Sequence, residues 1–431
     1  MNILFLDLRH AYKKIKSRAS LTVLQVHHAL YALACQGPAK FLGKFIIKKR
    51  NWQPVYIGNI TCITEENVTL AETGSSTIAA PCFNGDSSLT RSEIFPAVKA
   101  HVLQGGLIVT PYSAAVLYAN QLFLPGHVLK NWKRIKTDTG ELFALDDRFS
   151  VGRIDGTKEV DEGILIGGAG AFNWYHFIIE ILPKAFLARS LPSRFDKLPL
   201  LVPDECRNVT SFSNALAYFS AERSLQFYRR GEFISVKRLI IIDEVSIGPF
   251  NLCSGDWPRI NDYAQHDSVL RSFIIEFRLK VLGPSSHFYK FCKATRRIFL
   301  TRPGIRRNFN QSELIEIAMR YGFEPFSPEE LSLDEQARIF AESSYVIGPS
   351  GAAWVGMVFR ARPLRGLSWL PEKFEQFCGY STLARLLGHQ LEFIEAKTSH
   401  LLRSTEEAYT SDYEICPIEF ESALKIMVGE K

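Results

Sequence analysis

Between Arg297 and Phe359 the chain runs as strand, polar turn, helix, strand, helix, strand, glycine turn and small-residue helix, and this alternation limits the fold more than any other stretch. Arg297-Ile-Phe-Leu-Thr301 is a short run of strand formers that delivers Arg302 into the polar turn Thr301-Arg-Pro-Gly-Ile-Arg-Arg307. From about Ser312, Leu314, Ile317, Ala318 and Tyr321 recur at helical spacing, and Gly322 supplies a stop. Residues 323–326 read as a second strand, 333–341 as a second helix, and Tyr345-Val-Ile347 as a third strand entering Gly348-Pro-Ser-Gly351. Ala352, Ala353, Val355 and Gly356 are small enough to let a following helix pack closely on a sheet. Alternating strands and helices pair in parallel, which makes this an α/β protein whose ligands belong beyond the carboxyl ends of its strands.

Arg302, Arg306, Arg307, Gly348, Ser350, Gly351 and Ala352 all fall on that edge. Glycine lets a ligand approach the backbone, a helix N-terminus favours negative charge, and arginine offers forked donors matched to phosphate oxygens. Taken singly, the glycine turn is what any strand-to-helix connection uses, and the arginines read equally as a solvated loop. Their convergence on one edge favours an anionic ligand. Glu329 and Glu330 follow the second strand; they either accept hydrogen bonds from ligand hydroxyls or only match the dipole of the next helix.

A second pattern lies upstream. Ile164-Leu-Ile166 reads as a strand, Gly167-Gly-Ala-Gly170 as a turn and Asn173 as a helix N-cap. Trp174, Phe177, Ile178 and Ile181 then form one apolar helical face, which leaves Asn173, His176 and Glu180 on another, with Pro183 ending or kinking the helix. A histidine and a glutamate four residues apart can touch, so Glu180 is placed to orient the imidazole and raise its basicity. The bland alternative is a histidine that caps or packs within a wall.

Thr301-Arg-Pro-Gly-Ile-Arg-Arg-Asn-Phe-Asn-Gln-Ser-Glu313, Tyr321-Gly-Phe-Glu324, Pro328-Glu-Glu-Leu-Ser332, Glu335-Gln336 and Gly348-Pro-Ser-Gly-Ala-Ala353 resemble glycosyltransferase family 61 in order and spacing, and Asn173-Trp-Tyr-His-Phe-Ile-Ile-Glu-Ile-Leu-Pro183 is similar to the family's other signature. The resemblance implies a GT-B fold: two Rossmann-like domains facing a cleft, the nucleotide-sugar donor on the C-terminal one, and inversion at the anomeric carbon. Bacterial members are associated with surface polysaccharides, and eukaryotic ones use UDP-linked sugars. Many members carry histidine where this chain has Ser350, and Gly351-Ala-Ala-Trp-Val-Gly-Met357 replaces a more usual run. In that setting His176 is the candidate base for a sugar hydroxyl, with Glu180 as its orienter or substitute, a role worth about 10²–10⁴-fold in rate. Asn173 is the candidate contact to the acceptor or the cleft.

The chain has no Asp-x-Asp triplet, and its eight cysteines and ten histidines form no CxxC or HExxH, so neither a chelated metal nor any cofactor is expected. Leaving-group charge then falls to arginines and backbone N–H groups. Scattered cysteines and a short apolar N-terminus point to a cytoplasmic enzyme.

The first 50 residues hold ten Lys or Arg against one acid, Asp7, although the whole chain carries only +6. Lys40-Phe-Leu-Gly-Lys-Phe-Ile-Ile-Lys-Lys-Arg50 interleaves cations with bulky apolar groups, which suits the inner face of an anionic membrane at about 1 kcal/mol per cation; a solvated basic face is the alternative. No recognition motif or wider basic stripe supports nucleic acid as a partner.

The 48.8 kDa chain is too large for one typical core. The expected organisation is a basic amphipathic segment at 1–50 and an acceptor-side domain at 51–282 that opens with a strand-rich elaboration. A nucleotide-sugar-binding domain follows at 283–400, and a C-terminal helix within 401–431 returns to the first domain. The function that follows is transfer of a sugar from a nucleotide-sugar donor, UDP-linked by preference, to a glycan acceptor, free or lipid-linked, in bacterial surface polysaccharide synthesis. Two alternatives stay open: a non-catalytic sugar-nucleotide or glycan-binding scaffold of an assembly complex, and a membrane-surface protein acting through 1–50.

Overall fold

The computed structural model describes residues 53–429 apart from 84, 86–88, 120, 127–141, 146–147, 152–156, 250–251, 253–255, 284–294 and 303–306. The basic segment 1–50 and most of the hinge expected at 283–286 therefore lie outside the described residues, as does Arg306. The chain divides into two compact units, one of 1–56 with 141–155 and the other of 57–140 with 156–431. In the smaller unit, the strand that begins at Gln53 pairs antiparallel with Arg148–Val151, which pairs in turn with Leu142–Leu145.

The larger unit contains two sheets with parallel cores. In the first, β1 (Val98–Thr110) precedes β2 (Thr157–Leu165), β3 (Leu200–Pro203), β4 (Leu225–Tyr228) and β5 (Phe233–Ile242). The last four run parallel in the spatial order β4-β3-β2-β5, and β1 closes antiparallel on β5. Glu66–Ala71 and Ala115–Tyr118 also pair with β1, so part of the strand-rich N-terminal region extends this sheet. Another part goes elsewhere: Cys82–Phe83 adds a parallel edge to the second sheet.

The second sheet is wholly parallel. It uses β6 (Arg296–Leu300), β7 (Glu324–Phe326), β8 (Ser343–Pro349), β9 (Arg365–Pro371) and β10 (Gln390–Ala396) in the order β7-β6-β8-β9-β10. Both orders are those of doubly wound nucleotide-binding sheets, and each reverses direction at one crevice where ligands bind. The crevices lie between the carboxyl ends of β2 and β5 and between those of β6 and β8.

Helices follow the hydrophobic pattern. In α4 (Gln311–Arg320), Leu314, Ile317 and Ala318 are buried, and Tyr321 continues the stripe just beyond its end. Ser332 and Glu335 form a reciprocal cap at the start of α5 (Leu333–Glu342). α3 (Asp267–Leu282) carries Phe273 and Phe277 into a ring cluster with Phe219 and Phe359, so one core continues from the first sheet to the second.

The small-residue helix expected after Gly351 is present, Ala352–Phe359, and is wound as a 3₁₀ helix. Its six residues from Trp354 to Phe359 are all buried, and a methyl group on Gly356 would lie 2.1 Å from the Phe340 ring. One expectation needs correction. The terminal helix α7 (Pro417–Val428) does not return to the first sheet. Phe420, Leu424 and Met427 bury its apolar face in the core of the second sheet, with the Phe420 ring 6.2 Å from Trp369 and 6.5 Å from Phe299. Among the described residues no helix is long and apolar enough to cross a membrane.

Candidate functional site

The first crevice is built by the helix that follows β2. α1 consists of Trp174–His176, Phe177–Ile181 and Leu182–Ala188 in unbroken succession. Asn173 caps it, its side chain accepting from the backbone N–H of Tyr175 at 3.0 Å and of His176 at 3.5 Å. Its middle segment is a π-turn, in which Leu182 N–H donates to Phe177 O. Pro183 has no N–H to give and would crowd the carbonyl four residues back, so one wider turn accommodates it and the helix continues. The proline does not end the helical run, which continues to Ala188.

On this helix His176 Nδ1 and Glu180 Oε2 are 2.9 Å apart, and the Glu180 carboxylate is buried. Segments on either side confine the pair. A methyl group on Gly170 would lie 2.8 Å from His176 Cγ, and one on Gly248 would lie 3.2 Å from Glu180 Oε1. Gly170 also has φ +78°, a conformation that glycine adopts without strain.

His176, Glu180 and Asn173 line a cleft of about 410 Å³. Arg230, Tyr175 and Gly248 complete its first-sheet side, and Phe377, Gly379, Tyr380 and Tyr409 close it from the second. Tyr175 hydroxyl donates to Gly379 O across it at 2.7 Å, and the Tyr175 and Tyr380 rings meet edge to face at 5.1 Å.

Tyr380 leads to the second crevice. Burial pushes its hydroxyl up to about 12, and the charges of Arg302 and Arg307 oppose that rise. Arg302 extends from the end of β6, its backbone N–H held by Gln311 Oε1 at 2.7 Å, and its Nη2 donates to Ser350 O at 2.7 Å. The glycine turn allows this approach: a methyl group on Gly348, at φ +153°, would lie 2.6 Å from Leu300 Cβ, and one on Gly351 would lie 2.9 Å from Arg302 Nη2. Trp354 is fully buried beneath the turn and its Nε1 donates to Pro349 O at 3.1 Å.

Arg307 sits at φ +54°, with its guanidinium 5.3 Å from the centre of the Tyr413 ring. Burial lowers its pKa, Tyr413 opposes that fall, and the like charge of Arg302 adds to it. Arg302 Nη1 and Arg307 Nε are buried with no hydrogen-bond partner among the described residues. Two cations that feel each other's charge, each with a buried unsatisfied donor, have the chemistry to accept an anion.

The structure thus brings together most of the residues singled out in the sequence. Asn173, His176 and Glu180 share the cleft, and Arg302 meets the turn Gly348, Ser350 and Gly351 at the end of β8, with Arg307 near enough to feel its charge. Ala352 opens the 3₁₀ helix. Glu329 and Glu330 are exposed, in a short turn, Pro328–Glu330, after β7. Sequence patterns missed Tyr380, Tyr409, Arg230, Lys184 and Glu244. Only Lys184 carried a local signal, as the next residue of the His176 and Glu180 succession on the helix. Among the described residues no group of three His, Cys, Asp or Glu side chains is arranged to hold a metal ion.

The family model described as Glycosyltransferase 61 matches residues 174–367. The match opens on the helix that carries His176 and runs past Arg302, Arg307 and the glycine turn, so the resemblance drawn from the motifs is borne out over that segment. No curated protein matches the chain.

Proposed function

We propose that this chain, whose residues 174–367 carry the glycosyltransferase 61 pattern, transfers a sugar from a nucleotide-sugar donor to a glycan acceptor with inversion at the anomeric carbon. The observation that carries the reading is the His176–Glu180 pair in a cleft whose opposite wall includes Tyr380, a residue that feels the charges of Arg302 and Arg307, two arginines with buried unsatisfied donors. Two doubly wound sheets meeting at such a cleft correspond to a GT-B arrangement, with the donor on the second sheet.

In this mechanism Arg302 and Arg307 bind the donor phosphates and neutralise the charge that builds on the leaving nucleotide as the glycosidic bond breaks. Glu180 accepts from the Nδ1–H of His176, which fixes the tautomer that carries a lone pair on Nε2. That nitrogen removes the proton from the acceptor hydroxyl as its oxygen attacks the anomeric carbon from the face opposite the leaving group. Tyr175, Phe377, Tyr380 and Tyr409 supply ring faces and hydroxyls suited to sugars. No metal is required, since arginines carry the electrostatic work. A UDP-linked donor, a role in bacterial surface polysaccharide synthesis and a peripheral position at the inner membrane face complete the proposal.

Hydrolysis and transfer assays over a panel of UDP, GDP, CMP and TDP sugars test it. Turnover of one nucleotide class, abolished in Arg302→Met and in His176→Ala, is the expected result. Binding of a nucleotide sugar without turnover by the wild-type protein, with any acceptor tried, would point to a scaffold instead.

A further inference from the structure

The proposed mechanism leaves one buried charge pair unused. Lys184 is 1% exposed and Glu244 9% exposed, with Nζ 2.8 Å from Glu244 Oε1 and 2.7 Å from Gly167 O. Taking a lysine and a glutamate out of water is expensive, and apolar side chains of similar volume usually stabilise such a position as well or better. Stability alone therefore does not account for the pair.

Its position does. Lys184 stands on α1, four residues after Glu180 and eight after His176, while Glu244 is the second residue beyond the end of β5. Together they lie in the crevice of the first sheet and grip the glycine turn 167–170. A methyl group on Gly168, at φ +145°, would lie 3.5 Å from Lys184 Nζ and 3.6 Å from Glu244 Oε1. The turn has no side chains except that of Ala169 with which to hold itself. Its shape rests on backbone bonds: Ala171 N–H donates to Gly168 O at 3.3 Å and Asn173 N–H to Gly170 O at 2.7 Å. From that turn Gly170 closes on the imidazole, and four residues beyond Glu244 Gly248 closes on the Glu180 carboxylate.

Resting on the glycosyltransferase reading, we propose that Lys184 and Glu244 are a positioning pair: they fix the glycine turn and the 244–248 segment so that His176 and Glu180 hold the geometry for proton removal. Neither residue touches substrate in this role. A misplacement of about 1 Å at a reacting group costs about 10²-fold in rate, which sets the scale of the effect.

The test uses the full-length protein and the nucleotide sugar it turns over fastest. Lys184→Met/Glu244→Leu replaces the pair with apolar groups of similar size. The expected result is a melting temperature near that of the wild type, donor KM nearly unchanged, kcat lower by about 10²-fold, and a displaced acidic limb in the pH profile of kcat. Wild-type kcat with an unmoved limb overturns the proposal. Should the double variant not fold, Lys184→Met alone removes the bonds to Gly167 O and Glu244 Oε1 with little change of size. It is expected to lower kcat and move the limb, and unchanged values for both overturn the proposal equally. His176→Ala in the same assay separates the two levels. If it retains full activity the base reading itself has failed; if it is inactive while the pair variants match wild type, only the positioning role falls.

Discussion

The carboxyl edges of the two sheets' parallel strands are finished in opposite ways. On the first, ionisable groups come in hydrogen-bonded pairs: His176 with Glu180 at 2.9 Å and Lys184 with Glu244 at 2.8 Å. On the second, Arg302 and Arg307 repel one another, and each leaves a buried nitrogen without a partner among the described residues. A paired edge is organised before any ligand arrives, as proton transfer demands of a base that must already point correctly. An edge of unpaired cations is completed only by an anion, which suits the binding and release of a charged donor and its product. On the proposed function, the contrast divides the labour: chemistry at the first sheet, ligand charge at the second.

The largest expected effect tests the first half of that contrast. His176→Ala should lower kcat by about 10²–10⁴-fold with donor KM little changed, because a general base acts in the transition state and not on the bound donor. Steady-state kinetics with saturating acceptor measure both constants. A fall in donor affinity with kcat intact would move His176 to the binding edge and erase the distinction.

Arg302→Met tests the other half. Loss of one donor to the developing charge should reduce kcat/KM by about 10²–10³-fold. The same variant should lose a thermal response that the wild type shows: a nucleoside diphosphate at about a hundred times its Kd adds about 2.7 kcal/mol of stability and raises the melting temperature. A wild-type protein whose melting point ignores nucleoside diphosphates would show that the unpaired arginines do not await an anion.

How far these edges could be foreseen depended on whether their parts were local in the chain. The stripe of Leu314, Ile317, Ala318 and Tyr321, the Asn173 cap and the contact of His176 with Glu180 all follow from helical periodicity over a few residues, and the structure has each of them. Arg302 and the 348–351 turn were legible because parallel pairing places successive strand ends side by side. Tyr380 and Tyr409 were not, because each reaches the cleft from far along the chain through packing that no period announces. Nor was Glu244, whose partner lies sixty residues earlier. The destination of α7 failed for a related reason: an amphipathic helix declares which face it buries, and not which sheet will receive it. The 3₁₀ winding after Gly351 was likewise not announced by any local period, in a short apolar run packed closely on Phe340 at Gly356.

A third ionisable group extends the contrast to pH. His389 lies buried in the second sheet's lobe with Nε2 3.2 Å from Met357 O, and burial together with Arg278 and Arg360 pushes its pKa down to about 4 despite that hydrogen bond. The folded protein therefore resists a proton that the unfolded chain accepts below about 6.5. Stability is fully present above that pH and falls as pH drops from about 6.5 to about 4, by an amount on the order of 3 kcal/mol. Denaturant melts at pH 7 and pH 4.5 read it, and His389→Gln, which cannot take up the proton, should remove much of the difference. An unchanged difference would assign the acid sensitivity to other groups, the paired edge of the first sheet among them.

The smallest effect probes the seam between the edges. Tyr175 stands beside His176 on α1, and its hydroxyl donates to Gly379 O at 2.7 Å on the second-sheet side of the cleft. Tyr175→Phe keeps the ring against Tyr380 and deletes only that bond, so the loss of stability should be about 1 kcal/mol. Its kinetic consequence is the sharper measurement. If the two edges work as one site whose width this bond sets, kcat should fall by more than the stability change implies while the pH limb of His176 stays in place. If instead kcat is untouched, the cleft keeps its width through the shared aromatic core alone, and the two edges are joined by packing with no contribution from this hydrogen bond.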